Sequence, residues 1–289
     1  TVMSFSSSDT NFIDTTVIDT IVIDTTVMDT SLIVISSSAT LGNDILSSGV
    51  TDTVDVSSSS SEIIISSSAL QDSISSGASL IAYWGFENNL VESENFVTGT
   101  SEGFIGYGEG VVGQALVLDS MEERVVTPEL TQVLKLQSFT ISVWFKLTRL
   151  GDNQELFNNH NSLPGVREGI DMFVGADNRI RFAMATNGGG VWSEIINPNA
   201  TLINTWYNLV CTYDGIIQKM FVDGVLKSEQ LVNSPILYSD VPPTIGASRA
   251  ENVVTSRYFG GLIDELKIYD TPLDSVAISN EYGTIAANF

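Results

Sequence analysis

Tyr258–Asp270 reads YFGGLIDELKIYD, and the fold is decided on this stretch. It is aromatic and β-branched, contains no proline and opens on a glycine pair, which predicts a long strand in a sheet. Leu262, Glu265, Lys267 and Tyr269 do not alternate cleanly with Ile263, Asp264, Leu266, Ile268 and Asp270. An acidic pair, Asp264–Glu265, interrupts the apolar run. A buried carboxylate needs a cation or hydrogen-bond donors to stay where it is.

Upstream, the same signature recurs at short intervals. Ile81–Phe86, Ala115–Asp119, Phe139–Lys146, Glu168–Val174, Arg179–Ala185 and Trp192–Ile196 read as strands. So do Trp206–Tyr213, Ile217–Val222 and Val225–Gln230, joined by the Asp-Gly turns at Asp214 and Asp223. Asp274–Tyr282 is the one helical pattern, with Asp274 or Thr271 as cap and Gly283 as stop. Many short strands, regular turns and almost no helix predict an all-β jelly-roll sandwich of two antiparallel sheets. The glycine-rich run Gly103–Asp119 contains Glu109 and leads into a strand, so it reads as a hairpin rather than a phosphate cradle.

The charge is one-sided: 12 basic against 35 acidic residues, net −23. That excludes nucleic acid, whose phosphates need Lys and Arg, and disfavours anionic membranes. An acidic surface suits divalent cations. No stretch is long and apolar enough to insert in a membrane. The single cysteine, Cys211, lies in a strand pattern and reads as a buried, inert thiol. The first residue is not Met, which suggests a processed product or fragment. Low Lys and high Ser, Thr, Asn and Gly usage fit an extracellular or cell-surface protein.

Residues 1–79 differ from the rest. They hold no Lys, Arg or Pro and consist largely of Ser, Thr, Asp, Ile, Val and Leu. From Phe12 to Ser36 a five-residue step repeats, FIDTT-VIDTI-VIDTT-VMDTS-LIVIS. Side chains alternate faces along a strand, so an odd repeat mixes apolar and polar residues on both faces. Such an extended β segment, without charge or proline to protect its edges, invites pairing with another chain. The expected assembly residues are Phe12, Ile13, Val17, Ile18, Val22, Ile23, Val27, Met28, Leu32 and Ile33. Two regions follow: an assembly segment, 1–79, and a sandwich domain, 80–289.

The order AYWGFENN, GVVGQALVLDS, FTISVWFKL, NTWYNLVCTYDGIIQKMFVDGVL, PTIGAS and YFGGLIDELKIYDTPLDSVAI resembles the laminin-G-like, concanavalin A-like lectin/glucanase superfamily, in its bacterial LamG type. The resemblance spans about residues 80–283. It implies a jelly roll of two curved sheets, frequent carbohydrate or protein binding, and often one structural Ca²⁺. Carried over residue by residue, it implies a metal site at Glu87 and Asp264, with Asn88 or Asn89 adding oxygen. Glu87 stands where Asp is more usual in that family.

Catalysis is not expected. Glucanases on this fold use an ExDxxE strand, and the chain has no such pattern; Glu168 and Asp171 lack the third acid. His160, the only histidine, sits in the polar run LFNNHNSLPG and reads as a solvated loop residue. Asn161, Trp192 and Tyr258 are loop residues suited to sugar hydroxyls and ring faces. Two functions compete. One is a structural subunit of an extracellular filament that polymerises with copies of itself by N-terminal strand addition. The other is a lectin-like adhesin module on a stalk, with glycans as partners.

Overall fold

The computed structural model describes residues 33–37, 61–65, 78–94, 97–119, 122–161, 167–186, 191–232, 234–248 and 257–288. The chain divides into two units, residues 1–76 and 77–289, which are described separately.

In the first unit, β1 (Ile33–Ser37) pairs antiparallel with β2 (Ser61–Ile65), Ile33 facing Ile65 and Ser37 facing Ser61. Both are β-branched runs flanked by serine, so each supplies the backbone partner the other lacks. Of the expected assembly residues, Ile33 opens β1. Phe12, Ile13, Val17, Ile18, Val22, Ile23, Val27, Met28 and Leu32 lie outside the described residues.

The second unit continues with β3 (Leu80–Trp84), β4 (Thr100–Glu102), β5 (Gly106–Glu109), β6 (Gln114–Leu118), β7 (Arg124–Val126), α1 (Leu130–Val133), β8 (Phe139–Leu147) and β9 (Gln154–Asn158). Then come β10 (Ile170–Val174), β11 (Arg179–Thr186), β12 (Val191–Ala200), β13 (Trp206–Tyr213), β14 (Ile217–Val222), β15 (Val225–Leu231), β16 (Thr244–Ile245), β17 (Gly261–Tyr269) and α2 (Ser275–Ala286). An eight-stranded sheet runs β15-β14-β13-β8-β17-β6-β5, with β3 also on β17; a seven-stranded sheet runs β12-β11-β10-β9-β16-β7-β4. The unit is an antiparallel jelly-roll sandwich, as the strand spacing predicts.

Alternation explains the core. Phe139, Ile141, Val143 and Phe145 point inward from β8; Ile170, Met172 and Val174 answer from β10, and Ile180, Phe182 and Met184 from β11. Each such side chain contributes roughly 1.5–3 kcal/mol on burial. Cys211 lies in this core, and burial pushes its thiol well up, so it stays protonated and inert.

The uneven pattern of β17 has a local cause. On one edge it pairs with β6 through Gly261–Ile263 and with β3 through Leu266–Tyr269. Between the two, its register against β8 shifts from Asp264 to Lys267, and Glu265 takes φ 49°. This bulge moves the core-facing set from Ile263 to Leu266 and Ile268, which re-aims the acidic pair outward.

Helix α2 runs through Gly283 to Ala286, so glycine there does not stop it. The Asp274 carboxylate caps it, accepting from Val276 N at 2.9 Å and Ala277 N at 2.8 Å. The helix covers the outward face of the eight-stranded sheet: Tyr282 stacks on Trp144 at 5.5 Å, and Ile278 packs with Val210 and Phe221. No helix among the described residues is long and apolar enough to cross a membrane.

Candidate functional site

Two places collect polar groups that the core cannot use. The first lies around the β17 bulge. Asp264 is fully buried. Its Oδ2 accepts from Val111 N at 2.8 Å and Val112 N at 3.2 Å, and its Oδ1 from Glu265 N at 2.8 Å. Glu87 Oε2 accepts from Gln114 N at 3.1 Å. Both carboxylates thus close on the loop 110–114. Gly110 and Gly113 permit this, because a Cβ would stand 2.4 Å from Asp264 Oδ2 and 2.1 Å from Glu87 Oε1. Burial raises the Asp264 carboxyl to about 7 and the negative Glu265 adds to this, against the pull of three N–H groups.

Asn89 Oδ1 accepts from Val91 N at 2.8 Å, and Asn89 Nδ2 donates to Glu87 O at 2.9 Å. The donors that the acidic pair requires are therefore backbone N–H groups for Asp264. For Glu265 they are the Tyr83 hydroxyl at 2.6 Å and Lys267 Nζ at 3.1 Å. Calcium takes six to eight oxygens. With both Asp264 oxygens and Asn89 Oδ1 turned to N–H groups, these side chains do not by themselves make a calcium cage.

The second place is the outward face of the seven-stranded sheet. Pairing sets Asp171 of β10 opposite Asn158 of β9, and Phe173 opposite Glu155. Ile170, Met172 and Val174 face the core, so Asp171 and Phe173 face away from it. Beyond β9 the ladder continues irregularly: Asn159 N donates to Ile170 O at 3.1 Å, and Asn161 and Glu168 exchange backbone bonds at 2.9 and 3.1 Å. This carries His160 beside Asp171. The histidine is 4% exposed, so the expectation of a solvated loop residue is corrected; β10 returning alongside buries it.

There His160 Nδ1 lies 3.5 Å from Asp171 Oδ2, and Nε2 lies 3.1 Å from Ser248 Oγ. Arg257 Nη1 donates to Glu155 Oε1 at 2.8 Å and to Asp171 Oδ2 at 3.3 Å. Its guanidinium stands 4.9 Å from the Phe173 ring. Beyond the bond between the two acids, the other oxygens, Glu155 Oε2, Asp171 Oδ1 and Asn158 Oδ1, are buried with no donor among the described residues.

The two acids divide the charge. Burial, then the negative Asp171 beside it, push the Glu155 carboxyl well up. Burial would also raise Asp171, but its bond with Glu155 and the neighbouring His160 and Arg257 outweigh it and hold its carboxyl down. Glu155 is the protonated partner and Asp171 the ionised one.

The expected glycan residues fall around this cluster. Trp192 meets the His160 ring edge-on at 5.9 Å. Asn161 follows the histidine, and its Nδ2 donates to Glu168 Oε2 at 3.4 Å. Tyr258 follows Arg257 and is half-buried; its carbonyl accepts from Arg149 Nη2. Sequence reasoning does not reach the grouping of Glu155, Asp171 and Arg257. Their partnership depends on separations such as 86 and 102 residues, which carry no local signal.

An antiparallel jelly roll whose seven-stranded sheet carries a polar, aromatic-rimmed outward face belongs to the lectin-like class of sandwiches. A sequence model of the concanavalin A-like lectin/glucanases superfamily matches residues 119–279, and the chain belongs to this superfamily. Among solved structures the chain is similar to domain 4 of AbnA, a GH43 extracellular arabinanase from Geobacillus stearothermophilus, in complex with arabinotriose. Identity is 22%, coverage 70% of this chain and 98% of that one, and the TM-score 0.59. It is also similar to the binding domain of Paraclostridial Mosquitocidal Protein 1, with 14% identity, 71% and 52% coverage and TM-score 0.56. A third similar structure comes from work on cell entry of botulinum neurotoxin type C dependent on two ganglioside molecules, with 15% identity, 74% and 53% coverage and TM-score 0.56. The chain spans about half of each of these toxin chains. At these identities the likeness shows the fold. No curated protein sequence matches the chain significantly.

Proposed function

We propose that residues 77–289 form a non-catalytic carbohydrate-binding module of an extracellular or cell-surface protein. The observation that carries this reading is the outward face of the seven-stranded sheet, where the partly exposed Asn161, Trp192 and Arg257 gather over the buried Asn158, His160 and Asp171, with Tyr258 next in the chain. Sugars are held by planar polar groups that bond hydroxyls and by aromatic rings that cover the apolar sugar face. Supporting it, one structural relative was solved with arabinotriose and another concerns ganglioside recognition.

The same cluster argues against hydrolysis. A retaining pair of carboxylates stands about 5–5.5 Å apart astride the scissile bond. Glu155 and Asp171 are instead buried and bridged by Arg257.

The test is a glycan array followed by calorimetry with arabinotriose and ganglioside oligosaccharides. Binding is expected, with Trp192→Ala weakening it at least about tenfold while the melting temperature stays near that of the parent, and with no reducing sugar released. Absence of any array hit, or an unchanged affinity in the variant, would refute the proposal.

A further inference from the structure

We infer that Glu155, His160 and Asp171 form a binding site for one divalent transition-metal ion on the outward face of the seven-stranded sheet. One ligand atom from each can be chosen so that all lie within 4.8 Å of one another, and all three residues are buried. Exposed acids gather by chance on a chain this acidic. A buried set of two carboxylates and an imidazole does not, because each charged group costs several kcal/mol to desolvate unless something compensates it.

The compensation present is incomplete in a directed way. Arg257 takes Glu155 Oε1 and Asp171 Oδ2, and beyond the bond between the two acids Glu155 Oε2 and Asp171 Oδ1 have no donor among the described residues. Asn158 Oδ1, fully buried and opposite Asp171 in the ladder, also has no partner among the described residues. His160 is fixed from two sides: Ser248 Oγ at Nε2 and the Trp192 edge against the ring. Nδ1 faces Asp171 Oδ2 at 3.5 Å; in the tautomer with Nε2–H donating to Ser248, Nδ1 offers its lone pair to an ion in place of a proton shared with Asp171. A hydrogen bond at the far nitrogen that sets the tautomer of the near one is the usual outer-shell support of a metal-ligating histidine.

Ligand chemistry selects the ion. One imidazole with carboxylate and amide oxygens suits Zn²⁺, Mn²⁺ or Co²⁺, whereas calcium takes oxygen alone. Binding an ion requires both carboxylates ionised and Nδ1 unprotonated, with any displaced proton released to solvent. Arg257 stays as a partner to the outer oxygens. The inference does not depend on glycan binding, since the ion is measured without sugar.

The experiment uses the full chain, stripped with chelator and titrated with Zn²⁺ alone by calorimetry and by NMR of the imidazole. The chain has one histidine, so its ring signals are unambiguous. One equivalent of Zn²⁺ is expected to shift them. His160→Ala is expected to weaken the tight phase at least about 100-fold, and Ser248→Ala about tenfold, in line with outer-shell effects. Weak binding by surface acids persists in both variants and defines the background. Ring signals unmoved by stoichiometric Zn²⁺, or equal affinity in His160→Ala, would overturn the site. The NMR readout needs no variant and stands if either substitution impairs folding.

Discussion

The two outward faces of the sandwich solve one problem in opposite ways. Over the eight-stranded sheet, α2 lays Tyr282 and Ile285 against Trp144 and Val111, and every charge brought there has a partner. Lys267 Nζ sits between Glu265 Oε2 at 3.1 Å and Glu281 Oε1 at 2.7 Å, while the Asp264 oxygens take three N–H groups. Over the seven-stranded sheet polar groups are buried too, but beyond the bond between Glu155 and Asp171 three oxygens have no donor among the described residues. A closed network holds the fold together. An open one stores unmet bonding capacity, and unmet capacity is what a ligand uses.

The largest effect comes from breaking the closed face. Trp144 is 2% exposed and stacks on Tyr282 with the rings 10° apart. Trp144→Ala removes the surface on which α2 rests and should cost about 3–5 kcal/mol in urea unfolding. Because the helix would loosen first, hydrogen exchange in Ser275–Ala286 should rise more than in β10 and β11. Uniform exchange in both regions would mean that α2 is not a separate seal.

Next comes the pH dependence of the same face. The Asp264 carboxyl is raised from 3.8 to about 7 in the folded chain. Between these values the folded state binds more protons than the unfolded one, so stability falls as pH rises through the window and levels off above it. The net charge of −23 pushes the same way, while ion-paired acids such as Asp177 and Asp240 push the other, so the parent alone is not diagnostic. The difference between parent and Asp264→Asn is. The parent's margin over the variant should shrink by roughly 3 kcal/mol from pH 4 to pH 7.5, since one titrating group contributes at most about 1.4 kcal/mol for each pH unit crossed. Calcium added to chelator-treated protein should leave the unfolding curve in place. A margin constant with pH, or a rise in stability with calcium, would show a charged Asp264 held by an ion at Glu87 and Asp264.

The closed face is more legible in the sequence than the open one. YFGGLIDELKIYD announces a strand and a misplaced acidic pair, and both donor sets lie where that pair demands them. The bulge that re-phases it is invisible because a shift of partner from β6 to β3 depends on segments far away. On the other face, Gln154–Asn158 carries no strand signature. Three of its five residues are polar, Glu155 and Asn158 on the outward side and Gln154 spent on the backbone of Arg149 and Gly260, so the run QELFN looks like loop. His160, two residues further on, is hidden by the same effect. Nothing local tells a solvated histidine from one that a returning strand buries, and Arg257, whose carbonyl accepts from Glu155 N at 2.9 Å, lies 102 residues away in the chain.

The smallest effect is also the sharpest probe of the open face. Glu155 holds the proton of the pair, so Glu155→Gln replaces one neutral hydrogen-bonding group with another. It should change stability by less than about 1 kcal/mol. Asp171→Asn removes the ionised member. The Glu155 carboxyl, freed of its negative neighbour and still facing Arg257 at 2.8 Å, then falls and takes over the charge, so the loss should stay near 1–2 kcal/mol. The double variant denies Arg257 any anion and should cost more than the two singles together by about 1 kcal/mol or more. All three are compared in chelator, so that no ion contributes. Strict additivity would mean that the acids do not share a proton, and the open face would then be as fully satisfied as the closed one.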